Sequence, residues 1–492
     1  MSYQLAAFSP LGLDEAFLRH LIDEHAAAKL PRLNRFWSYY RNPLKPVAPA
    51  AAGEHRGPWY HQAQEAGLPA RIVGRAGLAG AEAVQGGRRE VVIENDIAWR
   101  IQAMVDFMFS RPVSILSTAD DQTLRREIER TLDRVWENSG GIALMQDMAL
   151  LGHVYGHVDL VVRIDPALKG LDAVRIEVIE PTRGIPVIDP TDYRTLAAYV
   201  VHFERDEIGV EPRHWLDSLS ARATNRRGDG SARGQRRRSS VTEIISADAR
   251  QLYINDKLVS DDRTPWTGGR VPVAHIQNVS EPFRYDGFGE VEALIPLQDE
   301  LNTRLSDRAS RVTMQSFKMY LARGIEGFEK SPVAPGMMWS TENPGASIQE
   351  FGGDGASPSE ESHVQEIREA LDKVSGVPPL ASGVVRARIG NLSSANALRI
   401  TLMGLLSKTA RKRVTYGRGM TVASELVLAA LDSLGVLRTQ PRDRGVTLHW
   451  PDPLPADDAG SALAAEAKLR LGVPRERVLD ELGYSHADAG VT

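Results

Sequence analysis

The sequence of 492 residues contains no cysteine, which excludes disulfide bonds and thiolate metal sites. It also has no apolar run of about 18 residues, and its N-terminus lacks the basic start and apolar block of a signal peptide. The net charge is only -5, so the chain as a whole has no electrostatic reason to coat nucleic acid or an anionic membrane. We expect a soluble, intracellular protein whose contacts with such partners are local.

Familiar catalytic motifs are absent as well, because no GxxxxGK[ST], GxGxxG after a strand, GxSxG or HExxH occurs. His153 and His157 in "LLGHVYGHVDL" could bind a metal only if a helix continued through Gly152 and Gly156. Structural histidines at a helix-to-strand joint are the preferred interpretation. The sequence predicts no catalytic residue, no metal and no cofactor.

What is present is typical of a globular chain of two or three domains, with 42% hydrophobic and 25% charged residues. The first 90 residues hold one predicted helix, 14–28, in an N-terminal arm that we expect to wrap over another part of the protein. Asn95 can cap a helix that ends before Pro112, a second helix carries Leu124 to Trp136, and a third begins near Ile142.

The third helix is predicted to give way at Gly152 to a strand, "HVDLVVRID". From there to about Ser280, short blocks of alternating apolar and polar residues indicate a mostly antiparallel β-rich region resting on the helices. An arginine-rich insertion from Arg222 to Arg238 interrupts it and predicts a mobile hairpin tip. Its arginines are either solvated or candidates for a DNA or partner contact: Arg226, Arg227, Arg236, Arg237 and Arg238.

Two helices then flank a compact block of β-like sequence. The first is predicted from Ile295 to Ser316, with Pro296 at its first position, and the second starts at Pro358 with a capping box from Ser357 to Glu360. Gly376 ends the second helix. Its carboxylates form either a solvated face or, in a ring around a duplex, an acidic wall that repels phosphates: Glu360, Glu361, Glu366, Glu369 and Asp372.

After a Gly- and Pro-punctuated loop, Ser393 or Ser394 is predicted to cap one long helix that runs to about Leu434 and stops at Gly435. Glycines within it mark places where it could bend: Gly404, Gly417 and Gly419. A strand-like "GVTLHWPDPLP" and a last helical piece finish the chain.

The order of these parts resembles the tailed-bacteriophage portal proteins. "FWSYYRNPL", "ENDIAWRIQAMVDFMFSRPVSI" and "LLGHVYGHVDLVVRIDP" are similar to the arm, an early helix and the entry to the wing strands of that family. "GFGEVEALIPLQDELNTRLSDRAS" resembles its first stem helix, "VSGVPPLASGVVRARIGNLSSANALRI" its tunnel loop and "LRLGVPRERVLDELGYS" its crown. The resemblance covers most of the chain from about Asn34, and its specificity lies in the order of the motifs.

The resemblance implies an α+β portal-protein fold with an α/β wing, a two-helix stem, a small β-containing clip, a long wing spine helix and a short helical crown. The implied divisions are an N-terminal arm 1–90, wing 91–294 with a basic loop 220–240, stem helix 295–316, clip 317–356, stem helix 357–376, tunnel loop 377–393, spine helix and strand 394–456, and crown 457–492. The arginine-rich insertion has no counterpart in the family pattern.

The resemblance also implies function and partners. Such a chain forms a homo-oligomeric ring of about twelve subunits at one capsid vertex, assembled in the host cytoplasm, and passes double-stranded DNA through its channel. Implied partners are the terminase large subunit, a head-completion or adaptor protein, and the major capsid and possible scaffolding proteins, with no membrane.

Arg386 and Arg388 are the only charges in the tunnel loop. They either touch DNA phosphates in the channel or pair with carboxylates of a neighbouring subunit. Two other functions stay open from the sequence: a nucleic-acid-processing enzyme of unfamiliar α+β fold, and another capsid or connector component.

Overall fold

The computed structural model describes residues 3–46, 60–73, 90–165, 167–192, 195–207, 237–263, 267–316, 319–323, 344–351, 358–382, 395–454 and 458–481. These residues form two units, a larger one of 1–34, 101–289 and 377–492 and a smaller one of 35–100 and 290–376. The α-helices are α1 (Glu15–Glu24), α2 (Leu30–Arg41), α3 (Ala70–Val73), α4 (Asp96–Phe109), α5 (Gln122–Asn138), α6 (Gly141–Tyr155), α7 (Val291–Ser316), α8 (Pro358–Ser375), α9 (Ala395–Thr401), α10 (Met403–Ser433), α11 (Asp458–Arg470) and α12 (Arg475–Glu481).

Within these described ranges, the strands form five small sheets, and every pair is antiparallel. They are β1 (Leu44–Pro46), β2 (Tyr60–Gln62), β3 (Ser114–Ser117), β4 (His157–Ile164), β5 (Val174–Ile179), β6 (Gly184–Ile188), β7 (Leu196–Glu207), β8 (Arg237–Ile245), β9 (Arg250–Ile254), β10 (Lys257–Asp262), β11 (Val273–Gln277), β12 (Met319–Arg323), β13 (Ser347–Phe351) and β14 (Val446–His449). A mixed helix and strand composition and the antiparallel β-rich region are thereby confirmed.

Two of the sheets lie in the β-rich region, in the orders β10-β9-β8-β7-β6 and β11-β4-β5. The register of β7 and β8 runs out to the pair Glu207 and Arg237, so residues 208–236 join two paired strand ends. The prediction of a mobile hairpin tip over 220–240 falls mostly on that connection, which lies outside the described residues. Its end is wrong, because residues 237–240 pair with β7 as the first part of β8.

The main core of the larger unit lies where β4, β5 and β11 pack against α4, α5, α6 and α10. The first six residues of β4 are buried without alternation, because helices cover the sheet there. The second half of α10 contributes Met420, Leu426, Val427 and Leu431, all with 1% exposure or less. Each such side chain contributes about 1.5–3 kcal/mol of hydrophobic stabilisation.

The N-terminal arm covers the five-stranded sheet. Phe8, Leu13 and Leu18 are fully buried against residues of β6, β7 and β8, and Tyr3 meets Tyr253 edge to face with ring centroids 4.7 Å apart. The expectation that this arm wraps over another part of the protein is confirmed for its first residues.

The helix predicted over 14–28 is longer than expected. Asp14 caps α1, residues His25–Lys29 form a π-helical turn, and α2 continues to Arg41. Pro31 lies inside this run, where its ring would clash with a carbonyl of a regular helix. The wider π turn just before it, closed by the bond from Leu30 N to His25 O, accommodates the proline.

The predicted break at Gly152 is wrong. Helix α6 continues to Tyr155, and Gly156, with φ of 101°, ends it before β4 begins at His157. Gly152 is needed for space, because a Cβ atom there would lie 2.0 Å from the hydroxyl oxygen of Tyr416.

The start predicted for the first flanking helix is also wrong, since α7 begins at Val291 and encloses Pro296. Val291, Leu294 and Ile295 are buried at helical spacing and extend the apolar stripe towards the N-terminus. Their burial offsets the hydrogen bond that Pro296 cannot donate. Helix α8 begins at Pro358 and ends at Gly376, as predicted, whereas Ser357 lies outside the described residues.

The long helix is divided by Leu402 into α9 and α10, two residues before Gly404 rather than at a glycine. It stops at Gly435, as predicted, with φ of 69° and a bond from Val436 N to Leu431 O. Of the β-like blocks between α7 and α8, β12 and β13 form an antiparallel pair, and "GMMWST" lies outside the described residues.

Candidate functional site

Helices α7 and α8 of the smaller unit pack as an antiparallel pair. Leu301 of α7 and Val364, Ile367 and Leu371 of α8 are all buried. The ion pairs follow the antiparallel order, because Arg311 meets Glu360 near the start of α8 and Glu300 meets His363 one turn later. The predicted arrangement of one helix going out and one coming back is therefore present.

The five predicted acidic residues fall into two groups. Glu360 is half-buried and paired with Arg311, and Asp372 is half-buried with its Oδ1 atom 2.7 Å from Arg100 Nη2. Glu361, Glu366 and Glu369 are exposed, and Glu361 also lies beside Arg308 of α7. The exposed acidic surface of α8 therefore consists of three of the five residues; we call Glu361, Glu366 and Glu369 the α8 acidic face.

Arg100 fixes the C-terminal end of α8. Its side chain is 2% exposed; Nη2 donates to Asp372 and, at 3.2 Å, to Asp96, and Nη1 donates to Ser375 Oγ at 3.0 Å. The guanidinium carbon also lies 4.4 Å from the ring centre of Trp99. No local pattern in the sequence indicates this role, because Asp372 is 272 positions away along the chain.

A row of polar side chains runs along the buried side of α7. Gln298, Asn302 and Ser306 recur every four residues and are fully buried. They accept hydrogen bonds from the backbone N–H groups of Asp96, Glu94 and Val92, at distances of 3.0, 3.1 and 3.0 Å, respectively. The three side chains thus supply hydrogen-bond acceptors to the segment 92–96, which leads into α4. Polar residues at helical spacing inside an apolar stripe were the signal that sequence reasoning missed.

In the larger unit, His153 and His157 lie on either side of the α6 to β4 joint, at the position predicted for them. Burial lowers the pKa of His157 to about 4. In the described part of the chain, no group of three or more His, Asp or Glu residues is placed to hold a metal ion.

Near this joint, a buried carboxylate gathers three donors. Asp159 is 1% exposed and accepts hydrogen bonds of 2.7 Å from Tyr199, Tyr285 and His275 Nδ1. The other ring nitrogen of His275 lies 2.8 Å from the carbonyl oxygen of Tyr285. Burial raises the pKa of Asp159, but the charge and hydrogen bond of His275 outweigh it and hold that pKa below its usual value.

A cavity of about 630 Å³ lies over β5, β7 and β8 and is lined by ion pairs. Arg163 pairs with Glu177 at 2.6 Å and with Glu243, which Arg250 also contacts at 2.6 Å. Burial raises the pKa of Glu243, but Arg163 outweighs burial and the pKa lies below its usual value. Glu243 is thus held as the charged partner of two arginines, which is not the state of a general acid.

The predicted arginine sites are described only in part. Arg386 and Arg388, like Arg226, Arg227 and Arg236, lie outside the described residues. Arg237 opens β8, and Arg238 is an exposed side chain whose Nη1 lies 3.4 Å from Glu204. None of the described helices is long and apolar enough to cross a membrane.

Comparison with known proteins identifies the class. Residues 19–483 match a family of phage portal proteins, so the chain belongs to that class. The family is the one described as "Phage portal protein, SPP1 Gp6-like". The resemblance drawn from the sequence is confirmed, and with it the function as a capsid portal ring for double-stranded DNA.

Two solved structures are similar in part. One is described as "Virion of native gene transfer agent (GTA) particle", with a TM-score of 0.40, 14% identity, and coverage of 79% of this chain and 89% of that chain. The other is described as "Neck of empty GTA particle computed with C6 symmetry", with a TM-score of 0.44, 14% identity, and coverage of 79% and 90%. No curated protein sequence matches the chain.

Proposed function

We propose that α7 and α8 form the stem of the portal subunit, with β12 and β13 in the clip, α9 and α10 as the wing spine, and α11 and α12 as the crown. The observation that carries this assignment is the family match over residues 19–483. The order of the described elements supports it, because an antiparallel helix pair encloses a β pair and is followed by the longest helix.

The assembled form in this proposal is a closed ring of about twelve subunits, held by head-to-tail contacts. It binds the terminase large subunit while DNA enters, and a head-completion or adaptor protein afterwards. Contacts with the major capsid protein and with a scaffolding protein complete the set of proposed partners.

The α8 acidic face lines the DNA channel in this proposal. Glu361 and Glu366 have side chains that are 69% and 70% exposed, so their charge is available to a neighbour. Repeated around a ring, such carboxylates repel the phosphates and let the duplex slide without sticking. Glu360 and Asp372 are less exposed and are paired with Arg311 and Arg100, whereas the pair of Glu361 with Arg308 stays exposed to solvent.

Arg386 and Arg388 remain proposed as DNA contacts of the tunnel loop. Replacing both with alanine is expected to change DNA packaging or retention while ring assembly stays intact, because the arginines serve the channel and not the interface. Packaging assays and negative-stain images of the same preparations measure the two effects. Loss of the ring would favour the alternative, that the arginines pair with carboxylates of a neighbouring subunit.

The ring itself is tested by imaging purified protein. The expected result is a ring with a central hole wide enough for duplex DNA. A monodisperse monomer at micromolar concentration under every salt condition would contradict the proposed assembly.

A further inference from the structure

Helices α9 and α10 expose a regular line of apolar and small side chains. Ile400, Met403 and Val414 are 67%, 56% and 73% exposed, and Ser407 and Ala410 between them are also exposed. From Met403 to Val414 these residues recur at i, i+4, i+7 and i+11, which places them on one side of the helix. We call these five residues the α10 stripe.

The opposite side of α10 is already occupied. Leu405, Thr409, Lys412 and Tyr416 alternate with the stripe at helical spacing, and each is 4% exposed or less. The helix is therefore fixed to its own unit through that side, and the stripe is a second, separate surface. A contiguous apolar line of this kind on a chain with 25% charged residues indicates an interaction site.

The charges around the stripe are of one sign. Residues 395–424 contain no Asp or Glu and six basic residues: Arg399, Lys408, Arg411, Lys412, Arg413 and Arg418. Of the 59 basic and 64 acidic residues of the chain, this leaves 53 basic and 64 acidic elsewhere, a net charge of -11. The rest of a second copy of the chain is acidic on balance, and this charge is opposite in sign to that of the helix.

The placement of the arginines favours a protein partner over DNA. Arg399 is held by Asp452 at 2.8 Å, and Arg413 donates to the carbonyl of Pro451 at 2.8 Å. The exposed Arg411 and Arg418 lie along one edge of the stripe, so its centre is apolar and its rim is charged. That is the arrangement of a subunit interface, whereas apolar side chains placed against DNA would remove water from the phosphates without supplying a compensating contact.

We infer that the α10 stripe is the surface through which one copy of this chain packs against the next. A closed head-to-tail ring needs two different patches on each subunit, and the stripe is one of them. The small side chains of Ser407 and Ala410 allow a partner element to approach the helix axis closely. The inference rests on the proposed ring and names one side of its interface.

The absence of cysteine makes a direct test available. Val414→Cys introduces the only thiol, and Val259→Cys places a matched thiol on β10, where Val259 is 57% exposed. Maleimide labelling is measured on monomer and on assembled protein. Assembly is expected to slow labelling at position 414 by about tenfold or more and to leave position 259 unchanged.

Charge insertion gives an independent measurement. Met403→Glu combined with Val414→Glu is expected to raise the concentration needed for half assembly by about tenfold or more, because two carboxylates would be buried in an interface. Val259→Glu is the matched control and leaves assembly unchanged. Circular dichroism of the monomers confirms that both variants fold, as expected for exposed positions.

Three outcomes overturn the inference, and they differ in what they say of the ring. If the thiol of the Val414→Cys variant reacts as fast in the ring as in the monomer, the α10 stripe is not part of the interface. The proposed function is then unaffected. Protection of that thiol only after duplex DNA is added assigns the stripe to DNA. A wild-type chain that never assembles contradicts the proposed ring and the inference together.

Discussion

Two deeply buried charged side chains, one in each unit of the chain, are satisfied in different ways. Arg100 of the smaller unit and Asp159 of the larger unit are both 1% exposed. Arg100 is held by two carboxylates and a serine, whereas Asp159 is held by two tyrosines and a histidine. The larger unit also buries a histidine, His157, whose pKa is lowered to about 4 by burial. We therefore expect acid to act first on the larger unit.

The largest effect is expected from breaking the Arg100 network. Arg100→Met removes the cation but leaves Asp96 and Asp372 beside it, and Asp372 is mostly buried. Removing one partner of a buried ion pair costs about 3–5 kcal/mol. Thermal unfolding and hydrogen exchange of residues 358–375 measure the loss.

The matched control for that variant is Arg19→Met, which breaks an ion pair with Glu15 on the surface of α1. Its side chain is 46% exposed, and such pairs contribute about 1 kcal/mol or less. If Arg100→Met and Arg19→Met lowered the free energy of unfolding equally, the importance assigned to the buried Arg100 network would be contradicted.

The second effect is a loss of stability of the larger unit in mild acid. His157 is neutral when folded, and burial lowers its pKa from 6.5 to about 4. The unfolded chain therefore binds more protons between these values, so the contribution is fully present above pH 6.5 and is lost as the pH falls towards 4. The shift corresponds to about 3 kcal/mol.

The groups that surround His157 determine the size of this effect. Asp159 and Asp286 raise its pKa, while His275 and Lys29 lower it, and Tyr285 packs edge to face against its ring. Hydrogen exchange of 157–164 and of 298–306 between pH 7 and pH 4 compares the two units. His157→Gln is expected to reduce the increase in hydrogen exchange of residues 157–164 at low pH. An unchanged increase would show that other groups cause it.

Local signals predicted the ends of elements well, because a cap or stop is decided by a few neighbouring residues. Asn95 accepts the N–H of Ala98, and the left-handed Gly376 and Gly435 end their helices as predicted. Gly152 could not be interpreted correctly from its neighbours, since its function is to leave space for Tyr416, a residue far away in sequence.

The candidate site was predicted unevenly for the same reason. Composition located the acidic residues of α8. Which carboxylates remain exposed depends on the arginines that reach them, and Arg100 and Arg311 come from other elements. A one-dimensional charge pattern cannot distinguish a carboxylate that faces solvent from one that is held by such a partner.

The smallest effect is expected from the surface pair that joins α7 and α8. Arg308 Nη2 lies 3.6 Å from Glu361 Oε1, and the side chains are 44% and 69% exposed. Arg308→Ala is expected to cost about 1 kcal/mol or less, because solvent screens the pair and two long side chains lose freedom to form it. Thermal unfolding of Arg308→Ala and of Arg100→Met, measured side by side, compares the two losses of stability. A loss as large as that of Arg100→Met would mean that the helix pair is held by its exposed charges, and the contrast between buried and surface networks would fail.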